Sequence, residues 1–135
     1  MAFFILNIVD SFRKKVGKLS ELWAYTKAVD LAMEIFEISK RFPKEELYSL
    51  TDQLRRCSRS VCANLAEAYR RRAYPRHFLS KLADSDAENS ETEVWLKFAF
   101  KCGYITSPEY KSLVSKNEEI GRLIGDIIKN PEKYC

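Results

Sequence analysis

Residues 46–72 read ELYSLTDQLRRCSRSVCANLAEAYRRR, and an apolar side chain recurs there at every third or fourth position. The recurring positions are Leu47, Leu50, Leu54, Cys57, Val61, Leu65 and Ala68. Side chains three and four residues apart lie on one side of an α-helix, so this stripe predicts a long amphipathic helix over residues 46–72. The stripe spans about six turns, which makes the helical prediction a strong one.

Helices are predicted on both sides of this stretch. One covers residues 21–41, with Ser20 as its N-cap. Pro43 ends it, because the residue before a proline is disfavoured in helical geometry. Another helix covers residues 76–102 and ends at Gly103, a residue type that often caps helix C-termini.

A fourth helix is predicted to begin at Thr106 or Ser107 and to end before Asn130. The second and third helices are joined by only a few residues, which makes them antiparallel. The chain has only 4 Gly and 4 Pro in 135 residues, and no stretch shows strand-like alternation. The sequence therefore predicts an all-α fold, an antiparallel up-down-up-down four-helix bundle over residues 19–135, preceded by an N-terminal extension over residues 1–18.

The N-terminal extension combines apolar residues at helical spacing with basic residues that follow them. The apolar positions are Phe4, Ile5, Ile8, Val9 and Phe12. A signal peptide has the opposite order, and a membrane-spanning helix needs about 20 apolar residues. We expect a short amphipathic helix that packs on the protein or on a sister subunit, no membrane association and a cytoplasmic location.

Residue spacing leaves few options for catalysis. His77 is the only histidine, and the Glu-x-x-His pairs of di-metal bundles are absent. The four glycines are scattered, so no glycine-rich phosphate loop is present. We expect a protein that is not an enzyme and holds no cofactor or metal, with acid–base catalysis by Glu67, Glu88 or Glu91 as the alternative. The four cysteines form no CxxC pair and are expected to be reduced thiols.

Charge separates the second predicted helix from the third. Residues 42–76 carry eight Lys or Arg against four Asp or Glu, whereas residues 77–102 carry three against five. Antiparallel pairing brings basic and acidic side chains to the same level. The expected pairs are Arg59 with Glu88 and Glu91, and Arg55 and Arg56 with Glu91 and Glu93. Such ion pairs between helices contribute about 0–1 kcal/mol each where they are exposed.

Arginines and rings crowd the turn in residues 69–77, YRRRAYPRH. Consecutive arginines point in different directions, so one helix hairpin cannot pair all of them with acids. Guanidinium groups beside rings suit phosphate binding and base stacking. A solvated helix end is the alternative, because cations also suit a helix C-terminus. The predicted nucleic-acid contacts are Arg70, Arg71, Arg72 and Arg76, together with Arg55, Arg56 and Arg59.

Residues 84–93, DSDAENSETE, contain five acids and no large apolar side chain. Read as helix, the stretch places small residues on one face, at Ala83, Ala87, Ser90 and Val94. The adjoining face carries Leu82, Ser85, Asn89, Thr92 and Leu96. We expect this face to let the third helix approach its neighbours closely. Polar contacts between helices are predicted for Ser60, Asn64, Glu67, Glu88 and Glu91.

The run that follows, VWLKFAFK at residues 94–101, is apolar nearly all round a helix, and only Lys97 and Lys101 share a polar sector. A helix with this pattern needs burial beyond one bundle seam. Either the N-terminal extension or another subunit covers it, and we expect an oligomer.

Residues 42–72 resemble the signature of the four-helix-bundle proteins encoded in 23S rRNA intervening sequences. The matching positions are Phe42, Pro43, Glu46, Tyr48, Leu50, Gln53, Leu54, Arg55, Arg56, Ser60, Val61, Asn64, Leu65, Ala66 and Glu67. The third predicted helix is similar to that of the family at Phe78, Leu79, Ala83, Ser85 and Glu88. The resemblance covers about residues 22–123.

The resemblance implies a small cytosolic bacterial bundle that assembles as a homopentamer and has no established enzymatic activity. A related branch consists of accessory proteins of diversity-generating retroelements, pentamers whose basic surface engages nucleic acid and a reverse transcriptase. We therefore expect a homo-oligomer that binds RNA or DNA through its arginines, with a reverse transcriptase as a further candidate partner. The alternative is a protein-interaction scaffold that binds no nucleic acid.

Overall fold

The computed structural model describes Leu19 and residues 22–134, and this part of the chain contains helices and no strand. Its elements are four α-helices, α1 Trp23–Ser39, α2 Leu50–Arg70, α3 Pro75–Lys101 and α4 Ser107–Lys129, and two 3₁₀ turns, Lys44–Glu46 and Pro131–Lys133. The predicted all-α fold with four helices is confirmed. The predicted N-terminal extension and the Ser20 cap lie outside the described residues.

The four helices form a ring around one core. Each helix packs against the next one in the chain, and α1 also packs against α4. On α3, the Ser85 hydroxyl donates to the Val61 carbonyl of α2 at 2.9 Å. Further along α3, the Thr92 hydroxyl donates to the thiol of Cys57, which lies earlier on α2, at 3.3 Å. These two contacts make α3 antiparallel to α2.

Ion pairs close the ring on the seam between α1 and α4. Lys27, near the start of α1, binds Glu119 at 3.1 Å. Arg41, just beyond the end of α1, pairs with Glu109 in the first turn of α4. Later residues of α1 thus meet earlier residues of α4, so these helices are antiparallel too, as an up-down-up-down bundle requires.

Two helix caps hold the connection between α3 and α4. Gly103 follows α3 at a φ of 78°, in the left-handed region that glycine adopts without steric penalty. Its amide donates to the Phe100 carbonyl at 3.0 Å, and the next amide donates to the Ala99 carbonyl at 2.9 Å, which is a Schellman motif. Thr106 and Glu109 form a reciprocal capping box at the start of α4. The backbone groups at this connection are therefore bonded within the protein.

The positions of the apolar stripe that lie within α2 are buried, whereas the one that precedes the helix is exposed. α2 begins at Leu50, because Pro43 adopts an extended backbone and the residues after it form a separate 3₁₀ turn. Leu47 lies in this connection and is exposed, so its predicted place on the buried stripe was wrong. The other six stripe positions are buried against the neighbouring helices.

Residues 84–93 are helical, and of the two adjoining faces described from the sequence α3 buries the one that carries Ser85, Asn89 and Thr92. The buried residues are Phe78, Leu82, Ser85, Asn89, Thr92, Leu96 and Ala99. The face expected to pack closely is exposed; it carries Ala83, Ala87, Ser90 and Val94. The large apolar side chains decide the orientation, since burying a leucine or phenylalanine contributes about 1.5–3 kcal/mol.

A pair of asparagines joins α3 to α4 inside the core. The Asn89 side-chain amide donates to the Asn117 backbone carbonyl at 3.1 Å, and the Asn117 amide donates to the Asn89 carbonyl at 2.9 Å. Both side-chain carbonyl oxygens are buried without a hydrogen-bond partner in the described part of the chain. Sliding α3 along α4 would break both hydrogen bonds, so the pair fixes the register of the two helices.

Gly121 and Gly125, one turn apart on α4, test this packing. A methyl group on Gly121 would meet the Asn89 amide nitrogen at 2.9 Å, whereas one on Gly125 would meet nothing within 4 Å. We expect Gly125→Ala to raise the free energy of unfolding by about 0.5–1 kcal/mol, because alanine favours helix. Gly121→Ala should instead lower it, because Asn89 must move away from its partner. Urea denaturation measures both, and equal stabilisation would contradict the packing.

Candidate nucleic-acid interface

Three exposed arginines surround the connection between α2 and α3. Arg70 ends α2, Arg71 follows it, and Arg76 lies in the first turn of α3. None of the three forms an ion pair with a described residue. We call Arg70, Arg71 and Arg76 the turn cluster. Its positive charge faces solvent, although Arg71 lies near enough to Glu67 to help lower the pKa of that carboxyl.

Tyr74 and His77 add two exposed rings to the turn cluster. Their ring centres are 6.2 Å apart and the planes meet at 83°, an edge-to-face arrangement. The Tyr74 side chain is 52% exposed. An exposed ring beside guanidinium groups can stack on a base.

Arg72 does not belong to this surface. The residue is only 3% exposed, its Nε donates to the Tyr69 carbonyl at 2.9 Å, and its guanidinium lies 3.7 Å above the Tyr69 ring. Arg72 cannot make the predicted contact with nucleic acid from this position. Arg72 lies in the turn after α2 and folds back over Tyr69, while Arg70 and Arg71 face solvent.

A second group of cations surrounds Phe36 on the seam between α1 and α2. The Lys40 ammonium lies 4.7 Å from the centre of this ring. The guanidinium carbons of Arg55 and Arg59 lie 4.8 and 5.7 Å from it. Arg55 is also held by the Ser39 hydroxyl, to which its Nε donates at 2.8 Å. We call Lys40, Arg55 and Arg59 the seam cluster.

The sequence predicted Arg55 and Arg59 as contacts but missed Phe36 and Lys40. Phe36 lies on α1 and Lys40 caps its end four residues later, a spacing that was a local sign that they share a side of the helix. Their approach to α2 depends on the register between the two helices, which the sequence does not display.

The predicted ion pairs of these arginines with acids of α3 do not form. Among the described residues, no acid of α3 lies within ion-pair distance of Arg55, Arg56 or Arg59. Arg56 instead lies 3.9 Å from Asp52 on its own helix. The prediction was wrong because α2 presents Arg55 and Arg59 toward α1 and solvent, whereas Glu88 lies on the opposite seam.

The seam between α2 and α3 carries other polar contacts. Lys81 binds Glu67 across the seam at 2.9 Å and reaches Asp84 on its own helix at 3.7 Å. The hydrogen bond from Lys81 lowers the pKa of Glu67. The same bond raises the pKa of Lys81. Both groups are therefore charged at neutral pH.

The remaining predicted polar residues divide between helices. Burial raises the pKa of Glu88, as does the neighbouring Glu91, while the Ser60 hydroxyl across the seam lowers it. The Asn64 amide donates to the Ser60 carbonyl at 3.0 Å, within α2. Glu91 accepts from the Trp95 indole at 3.1 Å, within α3. Glu67, Glu88 and Ser60 thus act across the seam, and Asn64 and Glu91 bond within their own helices.

In the described part of the chain, no group of three or more His, Cys, Asp or Glu side chains is placed to hold a metal ion. Cys57, Cys62 and Cys102 are free. Burial raises the pKa of Cys57 and of Cys62 to about 11, so both thiols are protonated at neutral pH and are poor nucleophiles. None of the described helices is long and apolar enough to cross a membrane.

Four antiparallel helices with an arginine-rich connection between α2 and α3 define a small helical-bundle protein with a cationic surface. The chain belongs to the family described as 23S rRNA-intervening sequence protein, whose sequence pattern matches residues 20–126. This match confirms the resemblance first seen in residues 42–72. A comparison with curated proteins gives no match.

A solved structure is similar over most of the chain. It is the crystal structure of a protein with unknown function from the S23 ribosomal protein family of Bacteroides thetaiotaomicron VPI-5482. The two proteins are 30% identical and superpose with a TM-score of 0.72. The match covers 78% of this chain and 95% of that chain.

The contrast between Arg72 and Arg71 tests the geometry of the turn. Arg72→Ala should lower the free energy of unfolding by about 1–3 kcal/mol, because it removes a buried side chain and its hydrogen bonds. Arg71→Ala should change it by less than about 0.5 kcal/mol, because this side chain faces solvent. Urea denaturation followed by circular dichroism compares the two variants. Similar effects would contradict the inward orientation of Arg72.

Proposed function

We propose that this protein is a non-enzymatic, homo-oligomeric bundle that binds RNA or DNA through the arginines beside α2. The turn cluster is the observation that carries the proposal: its exposed guanidinium groups have no ion-pair partner among the described residues and lie beside two exposed rings. Guanidinium groups match phosphate oxygens with paired hydrogen bonds. Phosphate contacts carry no sequence information, so we expect weak sequence preference.

The distribution of charge supports the same surface. The chain has a net charge of +4, but α1 holds three acids and one lysine, whereas α2 holds four arginines and two acids. Positive potential is therefore concentrated along α2 and the turn that follows it. An assembly of identical chains would present several copies of this surface to one nucleic acid, which strengthens binding without new contacts.

Exposed apolar residues on α3 support the oligomer. Leu79, Val94 and Phe98 are 37%, 48% and 53% exposed. They share the outward side of α3 with Ala83 and Ala87 at helical spacing. We call these five residues the α3 strip. A row of this kind is typical of helix packing between subunits, and the pentamer implied by the family resemblance stays a prediction.

The groove between α1 and α4 favours a second candidate function, a scaffold that binds a basic protein segment. The groove encloses about 920 Å³, and its lining includes Asp30, Glu34, Glu37 and Glu109 beside the exposed Met33. Three of these acids already hold ion pairs with cations of the same chain. The groove therefore carries less unpaired charge than the turn cluster. This difference favours nucleic-acid binding over the scaffold role. A reverse transcriptase stays a predicted partner.

Replacing Arg70, Arg71 and Arg76 with glutamine should weaken the binding of a mixed-sequence RNA. Removing three phosphate contacts should make the slope of log affinity against log salt concentration shallower by about 2–3. Fluorescence anisotropy over a salt series measures the affinity and the slope together.

The matched control replaces Lys111, Arg122 and Lys129, which are exposed on α4 and hold no ion pair with described residues. It removes the same charge and should retain most of the affinity. Equal losses in the two variants would show that net charge alone attracts the RNA. Unchanged binding after loss of the turn cluster would overturn the assignment.

The α3 strip predicts the behaviour of an interface variant. Val94→Glu with Phe98→Glu should shift the mass measured by light scattering from that of an oligomer to that of one chain, because burying two unpaired carboxylates is unfavourable. Met33→Glu is the control, since Met33 is as exposed as Phe98 but lies on α1. A single-chain mass for the unaltered protein, or an oligomer that survives both glutamates, would contradict the proposed interface.

A further inference from the structure

The seam cluster and the turn cluster lie toward opposite ends of one outer face of α2. Arg59, Ala63, Ala66 and Arg70 follow one another at spacings of four, three and four residues, so they lie on the same side of the helix. Arg59 and Arg70 are eleven residues apart, which corresponds to a rise of about 16 Å. Each end of this face thus carries its own group of cations.

The stretch between the two clusters carries no positive charge. Residues 60–69 of α2 contain no lysine or arginine. Ala63 is exposed and Ala66 is partly exposed, so the middle of the face is apolar and its side chains project little from the helix. Glu67 borders this middle on the side of α3, where Lys81 binds it. The cationic surface is therefore interrupted rather than continuous.

We propose that this face of α2 binds a nucleic-acid duplex, with the turn cluster on one sugar–phosphate backbone and the seam cluster on the other. The inference rests on the proposed function and names its substrate class. A duplex presents two rows of phosphates along a groove; the major groove of B-DNA is about 12 Å wide and admits an α-helix, and duplex RNA has a wide, shallow minor groove. Arg59 and Arg70 are about 16 Å apart along the helix, a few ångströms more than the width of the B-DNA major groove, a difference that long arginine side chains can cover.

A single strand fits the same face less well. A strand following α2 would pass its phosphates over the alanines and near Glu67 without a cation to receive them. Proteins that bind single strands supply a series of rings for successive bases. Tyr69 is the only aromatic residue of α2 in this interval, and Arg72 covers one side of its ring.

Glu37 binds Lys40 of the seam cluster at 3.1 Å and offsets that one charge, but acids near the face do not pair with the arginines at its ends. Glu37, Asp52 and Glu67 each hold an ion pair with a lysine or arginine of this chain. Arg59 and Arg70 hold none with described residues. The two arginines at the ends of the alanine stretch are therefore available to phosphates.

The test compares three probes of one sequence with the full-length protein: a duplex RNA of about 16 base pairs, the length that a double-stranded-RNA-binding module spans, the equivalent duplex DNA, and the single-stranded RNA. Anisotropy at one salt concentration should show tighter binding of at least one duplex than of the strand. The RNA and DNA arms decide which duplex geometry the face fits.

Variants at the two ends separate the clusters. Lys40→Gln with Arg59→Gln removes exposed parts of the seam cluster and leaves Arg55 on Ser39, so the fold is retained; thermal melting confirms this. For the duplex, this double variant should make the salt slope shallower by about 1–2, in addition to the loss caused by the turn variant, since Lys40 is shared with Glu37. Binding of the single strand should change little.

A third variant probes the middle of the face. Ala63→Glu places an acid between the two backbones, and Ala63→Gln is its uncharged control. The glutamate should weaken duplex binding severalfold and should affect the single strand less.

Equal affinity for strand and duplex would overturn the inference and leave the proposed function standing. If the seam variant left duplex binding unchanged, the inference would also be overturned and the proposed function would still stand. Failure to bind any of the three probes would overturn both.

Discussion

Burial of the apolar stripe of α2 is the constraint on which the other features depend. Leu54, Val61 and Leu65 point into the core, and α2 packs against both α1 and α3. A helix with one buried face must present its polar residues on the other, so Arg59 and Arg70 face solvent as a consequence of core packing. The basic surface and the buried stripe are therefore two sides of one helix. Rotating α2 to move its arginines would pull its apolar side chains out of the core.

The middle of the bundle is held by specific polar contacts where large side chains are few. Ser85, Thr92 and the pair Asn89–Asn117 each bond across a helix interface. Buried polar groups are costly when unpaired, so these bonds exclude neighbouring registers more strongly than leucine contacts would. Helix α3 is thereby fixed against α2 on one side and α4 on the other.

Local signals in the sequence predicted much of the fold. Apolar spacing, prolines and caps gave four helices, and the arginine turn follows from a short motif. Signals that depend on neighbouring helices were not visible. The outward position of Ala83 and the inward turn of Arg72 follow from which side chains the other helices cover, and the meeting of Arg59 with Phe36 follows from the register of α1. Leu47 shared the helical spacing but lies in a connection that Pro43 shapes.

The buried position of Arg72 has a consequence for the entropy of any association at the turn. Its guanidinium lies on the Tyr69 ring and its Nε donates to the Tyr69 carbonyl, so the backbone between them, which carries Arg70 and Arg71, is already ordered before a ligand arrives. Only the outer side chains then lose freedom, at about 0.5–1.5 kcal/mol each, and no loop has to be ordered in addition. Arg72 does not contact the ligand, but it lowers the entropic cost of binding for Arg70 and Arg71.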